Sequence, residues 1–182
     1  MARVYLGLGS NLGDRVALLR DAIRQLVDTG DVTLVATSSL WESEPWEEEP
    51  GRTAHERSWY LNCVVAVETA LAPRALLERL QSVETALGRT RPAGTPEAQR
   101  FAPRTLDLDL LLYGDEVIST PDDLHVPHLL LADRGFVLQP LAELAPDLRH
   151  PTLYQTVREL LDALDDEHTV RRGDYPAGWL DA

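Results

Sequence analysis

Lysine is missing altogether: all seventeen basic residues among the 182 are arginine. That excludes a Walker-type phosphate loop, which ends a glycine-rich turn on lysine, and no glycine-rich run of that kind occurs. Any phosphate chemistry in this chain must run on arginine and metal ions. Cysteine is almost as scarce. The single thiol, Cys63, has no partner for an internal disulfide and sits in the apolar run Leu61 to Val67, where a buried, inert thiol is expected. Positive charge is in deficit, and a formal net charge of -13 argues against a nucleic-acid partner, since a phosphate backbone binds a positive surface. No apolar run is long enough to cross a bilayer, and the segment Met1 to Leu6 lacks the length and cleavage site of a secretory signal. A cytoplasmic protein with no membrane partner is therefore expected.

What is present is ordinary for a globular chain, 44% hydrophobic and 26% charged, of a length that suits one domain over residues 1–182. Residues 168–182 read as an extended tail, and a monomer is expected. Arg3 to Ser10 alternates as a strand, and Asn11-Leu12-Gly13-Asp14 turns into a helical pattern from Arg15 to about Val27. Val32 to Trp41 and Tyr60 to Thr69 are β-branched and apolar enough for strands. A long loop containing Glu47-Glu48-Glu49-Pro50-Gly51 separates them. Pro73 suits the first turn of a helix to Leu87, with Leu76, Leu80, Val83 and Leu87 as its apolar stripe and Gly88 as its cap. After a second loop, from Arg89 to Pro103, come the strand Thr105 to Tyr113 and a Gly114-Asp115 turn. Further helices are predicted after Pro127 and near Thr156 to Leu164. The order strand, helix, strand, strand, helix, strand predicts an α+β fold. It has a ferredoxin-like split βαβ core, an antiparallel sheet with helices packed on it, and additional C-terminal helices.

The chemistry concentrates on Leu106-Asp107-Leu108-Asp109-Leu110. Side chains alternate along a strand, so the leucines face one way and both carboxylates the other. Their alpha carbons lie roughly 6 to 7 Å apart, a spacing from which carboxylates converge on two metals about 3.5 to 4 Å apart. Oxygen ligands of this kind favour magnesium completed by substrate phosphates and water. A plain solvated strand face is the alternative, though aspartate is depleted in strands and two close like charges repel. Arg89, Arg91, Arg100 and Arg104 precede the acidic strand on a loop from which they can close over a polyphosphate. Each taken singly also reads as a solvated basic residue.

Glu84 falls inside the apolar stripe of its helix, between Leu77 and Leu80, where a carboxylate needs a partner: an arginine, or a ribose or base hydroxyl, with Gln81 nearby. The two histidines of His125-Val126-Pro127-His128 do not by themselves make a zinc site. Trp46, Trp59, Tyr60, Phe101 and Phe136 lie in or beside loops, where rings either pack the core or sandwich a flat heterocycle. Asn62 alternates to the face of Tyr60 and offers an amide to such a heterocycle's edge.

Taken together, these residues resemble the 6-hydroxymethyl-7,8-dihydropterin pyrophosphokinases, folate-pathway enzymes that transfer diphosphate from ATP to a reduced pterin alcohol. The most specific element is Arg104-Thr105-Leu106-Asp107-Leu108-Asp109-Leu110-Leu111-Leu112-Tyr113-Gly114. It is supported by Tyr5-Leu6-Gly7-Leu8-Gly9-Ser10-Asn11-Leu12-Gly13, Tyr60-Leu61-Asn62, and Val126-Pro127-His128 followed by Arg134-Gly135-Phe136. The resemblance implies that Asp107 and Asp109 hold two magnesium ions against ATP, and that Arg89, Arg91 and Arg104 form a catalytic clamp. It further implies ATP along Gln81, Glu84, Leu110, His125, His128 and Arg134. The pterin would stack between Phe136 and Phe101, with Ser43, Glu44, Trp46 and Asn62 offering polar groups, Tyr60 flanking and Gly9 leaving room. No role falls to Glu47-Glu48-Glu49 or to the stretch from His168 to Ala182. Two other classes share parts of the pattern: a magnesium-dependent nucleotidyltransferase, with the aspartates but no pterin pocket, and a non-catalytic ligand-binding module on the same core.

Overall fold

The structure, a computed structural model, describes residues 1–46, 59–88, 106–121 and 123–181. In chain order come β1 (Ala2–Ser10), α1 (Arg15–Val27), β2 (Val32–Thr37), β3 (Trp41–Ser43) and β4 (Tyr60–Thr69). Next are α2 (Pro73–Ala86), β5 (Asp107–Tyr113), β6 (Ile118–Ser119), β7 (His125–Val126) and a 3-10 turn at Leu131–Asp133. Last are α3 (Gly135–Leu144), α4 (Val157–Asp162) and β8 (Val170–Arg172).

Among the described residues the main sheet has six strands in the order β5-β1-β4-β3-β8, with β2 also on β4, and every pairing is antiparallel. This is the expected ferredoxin-like arrangement, with β1 and β4 central and the two βαβ halves interleaved. Alternation divides the sheet into two cores. Leu6, Leu8, Cys63, Val65, Leu108 and Leu110 pack under α1 and α2, while Tyr5, Val64, Ala66 and Leu111 pack under α3 and α4. Helix α1 is capped by Asp14, whose carboxylate accepts the Ala17 N–H at 3.0 Å. Helix α2 starts on Pro73 and is followed by Gly88 at φ +88, the left-handed position a helix end favours.

Two expectations need correcting. Val32 to Trp41 is not one strand but two, because Thr37 pairs with Val65 and Trp41 with Asn62, leaving three residues opposite two. The extra residue makes a bulge, and the Ser38 hydroxyl accepts the Val64 N–H at 2.9 Å in place of a ladder bond. The C-terminal stretch does not extend outward. Val170–Arg172 pairs with β3, and Trp179, 4% exposed, packs into the core with its indole N–H donating to the Ser38 carbonyl at 3.1 Å. Burying an indole repays the ordering of that segment.

Candidate functional site

The site lies on the α3 side of the sheet, where three strands present unusual residues side by side. Gly7 stands opposite Asp109 on β5 and Val64 on β4, and Gly9 stands opposite Asp107 and Asn62. The two glycines remove side chains from the middle strand, so the carboxylates and the Asn62 amide face each other across bare backbone. A Cβ added at Gly9 would lie 2.9 Å from Asn62 Oδ1, too close to be accommodated without a shift. A cavity of about 480 Å³ opens on this floor, and Asp107, Asp109, Asn62, Tyr60 and Phe136 line it.

On the acidic side Asp107 and Asp109 are half-buried, while Leu106, Leu108 and Leu110 are at most 5% exposed on the opposite face. Glu84, 3% exposed, accepts the Leu108 N–H at 2.7 Å. The carboxylate inside the stripe of α2 thus ties down the outer edge of the strand bearing both aspartates. His128 Nε2 lies 3.9 Å from Asp109 Oδ1. Burial, aided by Arg134 and His125 and opposed by Asp107, pushes its pKa down to about 4. The ring is therefore neutral near pH 7. Its Nδ1 accepts the Leu130 N–H at 3.2 Å, which leaves the proton on Nε2, facing Asp109. His125 pairs its Nδ1 with the Ser119 hydroxyl at 3.1 Å.

On the opposite side the Asn62 amide donates to Ser43 Oγ at 2.9 Å and to the Trp41 carbonyl at 3.4 Å, so its oxygen is the group left to face Gly9. The Arg134 guanidinium lies over Trp46 at 4.9 Å and over Phe136 at 5.5 Å. The planar guanidinium of Arg134 therefore packs against both rings.

Of the residues singled out in the sequence, Gly9, Ser43, Trp46, Tyr60, Asn62, Asp107, Asp109, Leu110, His125, His128, Arg134 and Phe136 meet around this one cavity. Four described ones do not line it. Glu84 is occupied at β5, Gln81 bonds Asp123 at 3.4 Å, and Glu44 turns to the C-terminal stretch, where its carboxylate accepts the Thr169 N–H at 2.8 Å. Trp59 also lies elsewhere, buried under the Arg171 guanidinium at 4.8 Å. Arg89, Arg91, Arg100, Arg104, Phe101 and Glu47-Glu48-Glu49 lie outside the described residues. Cys63 borders the cavity but is 1% exposed, and burial pushes its thiol far above the range where a thiolate forms. Asp123, paired with Arg74 at 2.5 Å, is a lining residue that sequence reasoning missed; an acid between turn residues carries no distinguishing pattern.

Paired carboxylates across a glycine floor from an amide and an aromatic ring suit a phosphoryl-group transferase acting on a flat heterocyclic substrate. The sequence profile of the 7,8-dihydro-6-hydroxymethylpterin-pyrophosphokinase (HPPK) family matches residues 5–146. Proteins named 2-amino-4-hydroxy-6-hydroxymethyldihydropteridine pyrophosphokinase are similar over most of their length. The one from Methylorubrum extorquens is 43% identical over 165 residues, covering 91% of this chain and 95% of the relative. That from Aquifex aeolicus is 38% identical, covering 87% and 90%. That from Bacillus subtilis is 39% identical, covering 92% and 87%. Among solved structures, wild-type HPPK-DHPS of Plasmodium falciparum superposes with a TM-score of 0.65 at 16% identity, over 88% of this chain. The chain spans 44% of that longer protein, and the likeness shows the fold alone. The chain belongs to the 7,8-dihydro-6-hydroxymethylpterin-pyrophosphokinase family. Its activity is pyrophosphoryl transfer from ATP to hydroxymethyldihydropterin, in folate biosynthesis.

Proposed function

We propose that the cavity performs this transfer with the reduced pterin on the Asn62 and Phe136 side and the ATP phosphates on the Asp107 and Asp109 side. The observation that carries the reading is the register that sets Asp107 across Gly9 from Asn62 and Asp109 beside it across Gly7 from Val64. In this reading the hydroxymethyl oxygen attacks the β-phosphorus, the bond from that phosphorus to the α-phosphate oxygen breaks, AMP leaves with the electron pair, and the hydroxyl proton passes to solvent. No covalent enzyme intermediate is required. In-line positioning and charge neutralisation supply most of the rate.

Asp107 and Asp109 suit magnesium. They are hard oxygen donors, and among the described residues no group of three or more His, Cys, Asp or Glu side chains comes together to hold a metal. Most coordination positions would then fall to phosphate and water, as is usual for magnesium beside nucleotides. Two bound ions would neutralise charge on the phosphates and on the attacking oxygen. Asn62 and Tyr60 orient the pterin, the Phe136 ring stacks on it, and His128, uncharged, donates from Nε2. Arg89, Arg91 and Arg104 complete the clamp. The reading includes one catalytic unit over residues 1–182, monomeric and cytoplasmic; no described helix is long and apolar enough to cross a membrane.

Purified protein supplied with ATP, magnesium and the reduced pterin alcohol is expected to release AMP and a pterin diphosphate in equal amounts. Asp107→Ala and Asp109→Ala are each expected to lower turnover at least about a hundredfold. Release of inorganic pyrophosphate in place of AMP, or near-normal turnover in either variant, would overturn the assignment.

A further inference from the structure

Helix α2 turns one stripe toward the acidic side of the cavity. Arg74, Leu77, Gln81 and Glu84 follow one another at intervals of three and four residues, which puts them on a single helical face. Leu77 lines the cavity and Glu84 accepts the Leu108 N–H. Arg74 and Gln81 do not line it; they reach across to the hairpin of β6 and β7, which carries His125.

That hairpin stands apart from the main sheet, and its ladder is two residue pairs long, Ile118 with Val126 and Ser119 with His125. A two-stranded ladder so short does not fix its own position. Val126 and Leu124 anchor its apolar side in the core, at 1% and 5% exposed. Helix α2 holds the connecting turn. The Arg74 guanidinium donates from Nη1 to Asp123 Oδ1 at 2.5 Å and from Nη2 to Thr120 Oγ1 at 3.1 Å, and that hydroxyl oxygen accepts the Leu124 N–H at 3.2 Å. Gln81 Nε2 donates to the other Asp123 oxygen at 3.4 Å. One arginine thus grips the turn at both of its ends, and both oxygens of Asp123 are met from the helix.

An ion pair this exposed adds little to the stability of the fold. Its importance lies in what it spans. Apolar side chains from three elements border the cavity here: Leu77 of α2, Leu110 of β5 and Leu124 of the hairpin. Apolar walls with a few polar groups at the rim suit a nucleotide base. The separation of two of those walls, helix and hairpin, is what the Arg74 contacts set.

We propose that Arg74 and Asp123 are positioning residues, a brace between α2 and the β6–β7 hairpin that fixes the end of the cavity taking the nucleotide's base and so sets the affinity for ATP. The proposal rests on the placement of ATP on the Asp107 and Asp109 side. Asn62 stands on β4, with β1 between it and β5, so the pterin side does not depend on the brace.

The test titrates the full chain, in magnesium, with a non-transferable ATP analogue, and compares it with Arg74→Ala, Asp123→Ala, the double variant and Arg79→Ala. Arg79 is the control, an exposed arginine of the same helix that pairs with Asp31 at 3.6 Å. Arg74→Ala and Asp123→Ala are each expected to weaken the analogue about tenfold, as loss of one charge-assisted bond would. The double variant should be no more than about twofold weaker than either single one, because the two residues act as a unit. Arg79→Ala should stay within about twofold of the parent, and the thermal midpoints of all four variants within about 3 °C of it. In turnover, Arg74→Ala should raise the ATP KM by the same factor and leave kcat and the pterin KM within about twofold. An unchanged analogue affinity in Arg74→Ala, multiplied losses in the double variant, or an equal rise of both KM values would overturn the proposal. So would tighter binding in Asp123→Ala, which would mean that the arginine acts on phosphate and not through the hairpin. A parent that binds no analogue or forms no pterin diphosphate sinks the functional reading itself, whereas an active parent with an unmoved Arg74→Ala sinks the brace alone.

Discussion

Replacing Gly9 with alanine tests the division of the site into two halves with a single methyl group. The added Cβ falls 2.9 Å from Asn62 Oδ1, where ordinary contact begins at 3.4 Å, so about half an ångström must be found. The backbone of β1 gives little, because it is paired on both sides by β4 and β5. Asn62 therefore moves, and it is 4% exposed and tied to Ser43 Oγ at 2.9 Å. Losing that bond, or misaiming the amide from the substrate's edge, costs about 1 kcal/mol each, so about 2 kcal/mol and roughly a thirtyfold weaker pterin. No atom of Asp107 or Asp109 lies within 4 Å of the new methyl, so nucleotide affinity should stay within about twofold. Calorimetric titration of Gly9→Ala with a non-transferable ATP analogue, then with the pterin, separates the two effects. Gly7→Ala is the control, since the nearest neighbour of its methyl is the Leu111 side chain, at an ordinary 3.4 Å. Equal losses for nucleotide and pterin, or an unchanged pterin affinity, would refute the partition.

Three further outcomes are expected. Glu84→Ala strips the acceptor from the buried Leu108 N–H and should destabilise the fold by about 1–3 kcal/mol in urea unfolding, whereas Glu84→Gln, which keeps an oxygen there, should lose less. His150 is held neutral by burial, its Nδ1 accepting from Thr152 and Leu153 N–H. Its pKa is lower in the folded than in the unfolded chain, so the unfolded chain binds the extra proton. Stability should therefore be full above the unfolded value of about 6.5 and decline as pH falls below it, a slope that His150→Ala should flatten in thermal unfolding. Chelating divalent cations should weaken ATP binding itself, not merely turnover, by at least about a hundredfold in equilibrium titration, because the carboxylates would otherwise face the phosphates directly.

The parts of the fold that period-two patterns encode were legible. Leu6-Gly7-Leu8-Gly9 and Leu106-Asp107-Leu108-Asp109 each send leucine to the core and the small or charged residue to the site. Helix ends at Asp14, Pro73 and Gly88 carried local signals. Three features did not show, all for reasons of distance. The bulge at Ser38 depends on a bond to Val64, and the run from Val32 to Trp41 contains no glycine or proline to mark it. Glu84 announced that it needed a partner, but one such partner is a backbone N–H on a strand 24 residues away, which no side-chain pattern reveals. The return of the C-terminal stretch hangs on Trp179, whose acceptor Ser38 is 141 residues distant.

His128 supplies none of the positive charge the site needs. At a pKa of about 4 the ring is neutral near pH 7, so its approach to Asp109 at 3.9 Å is no ion pair and cancels none of the carboxylate charge. The chain as a whole is also acidic, at -13, and offers no lysine. Two like charges 4 Å apart repel by about 4 kcal/mol at an effective dielectric near 20, and a polyphosphate brought to Asp107 and Asp109 meets several such pairs. The aspartates would then be an obstacle to the reaction unless cations lay between them and the phosphates. Keeping the histidine uncharged suits this division of labour. A protonated His128 would compete with metal for Asp109, whereas the neutral ring does not and still offers its Nε2–H to a phosphate oxygen.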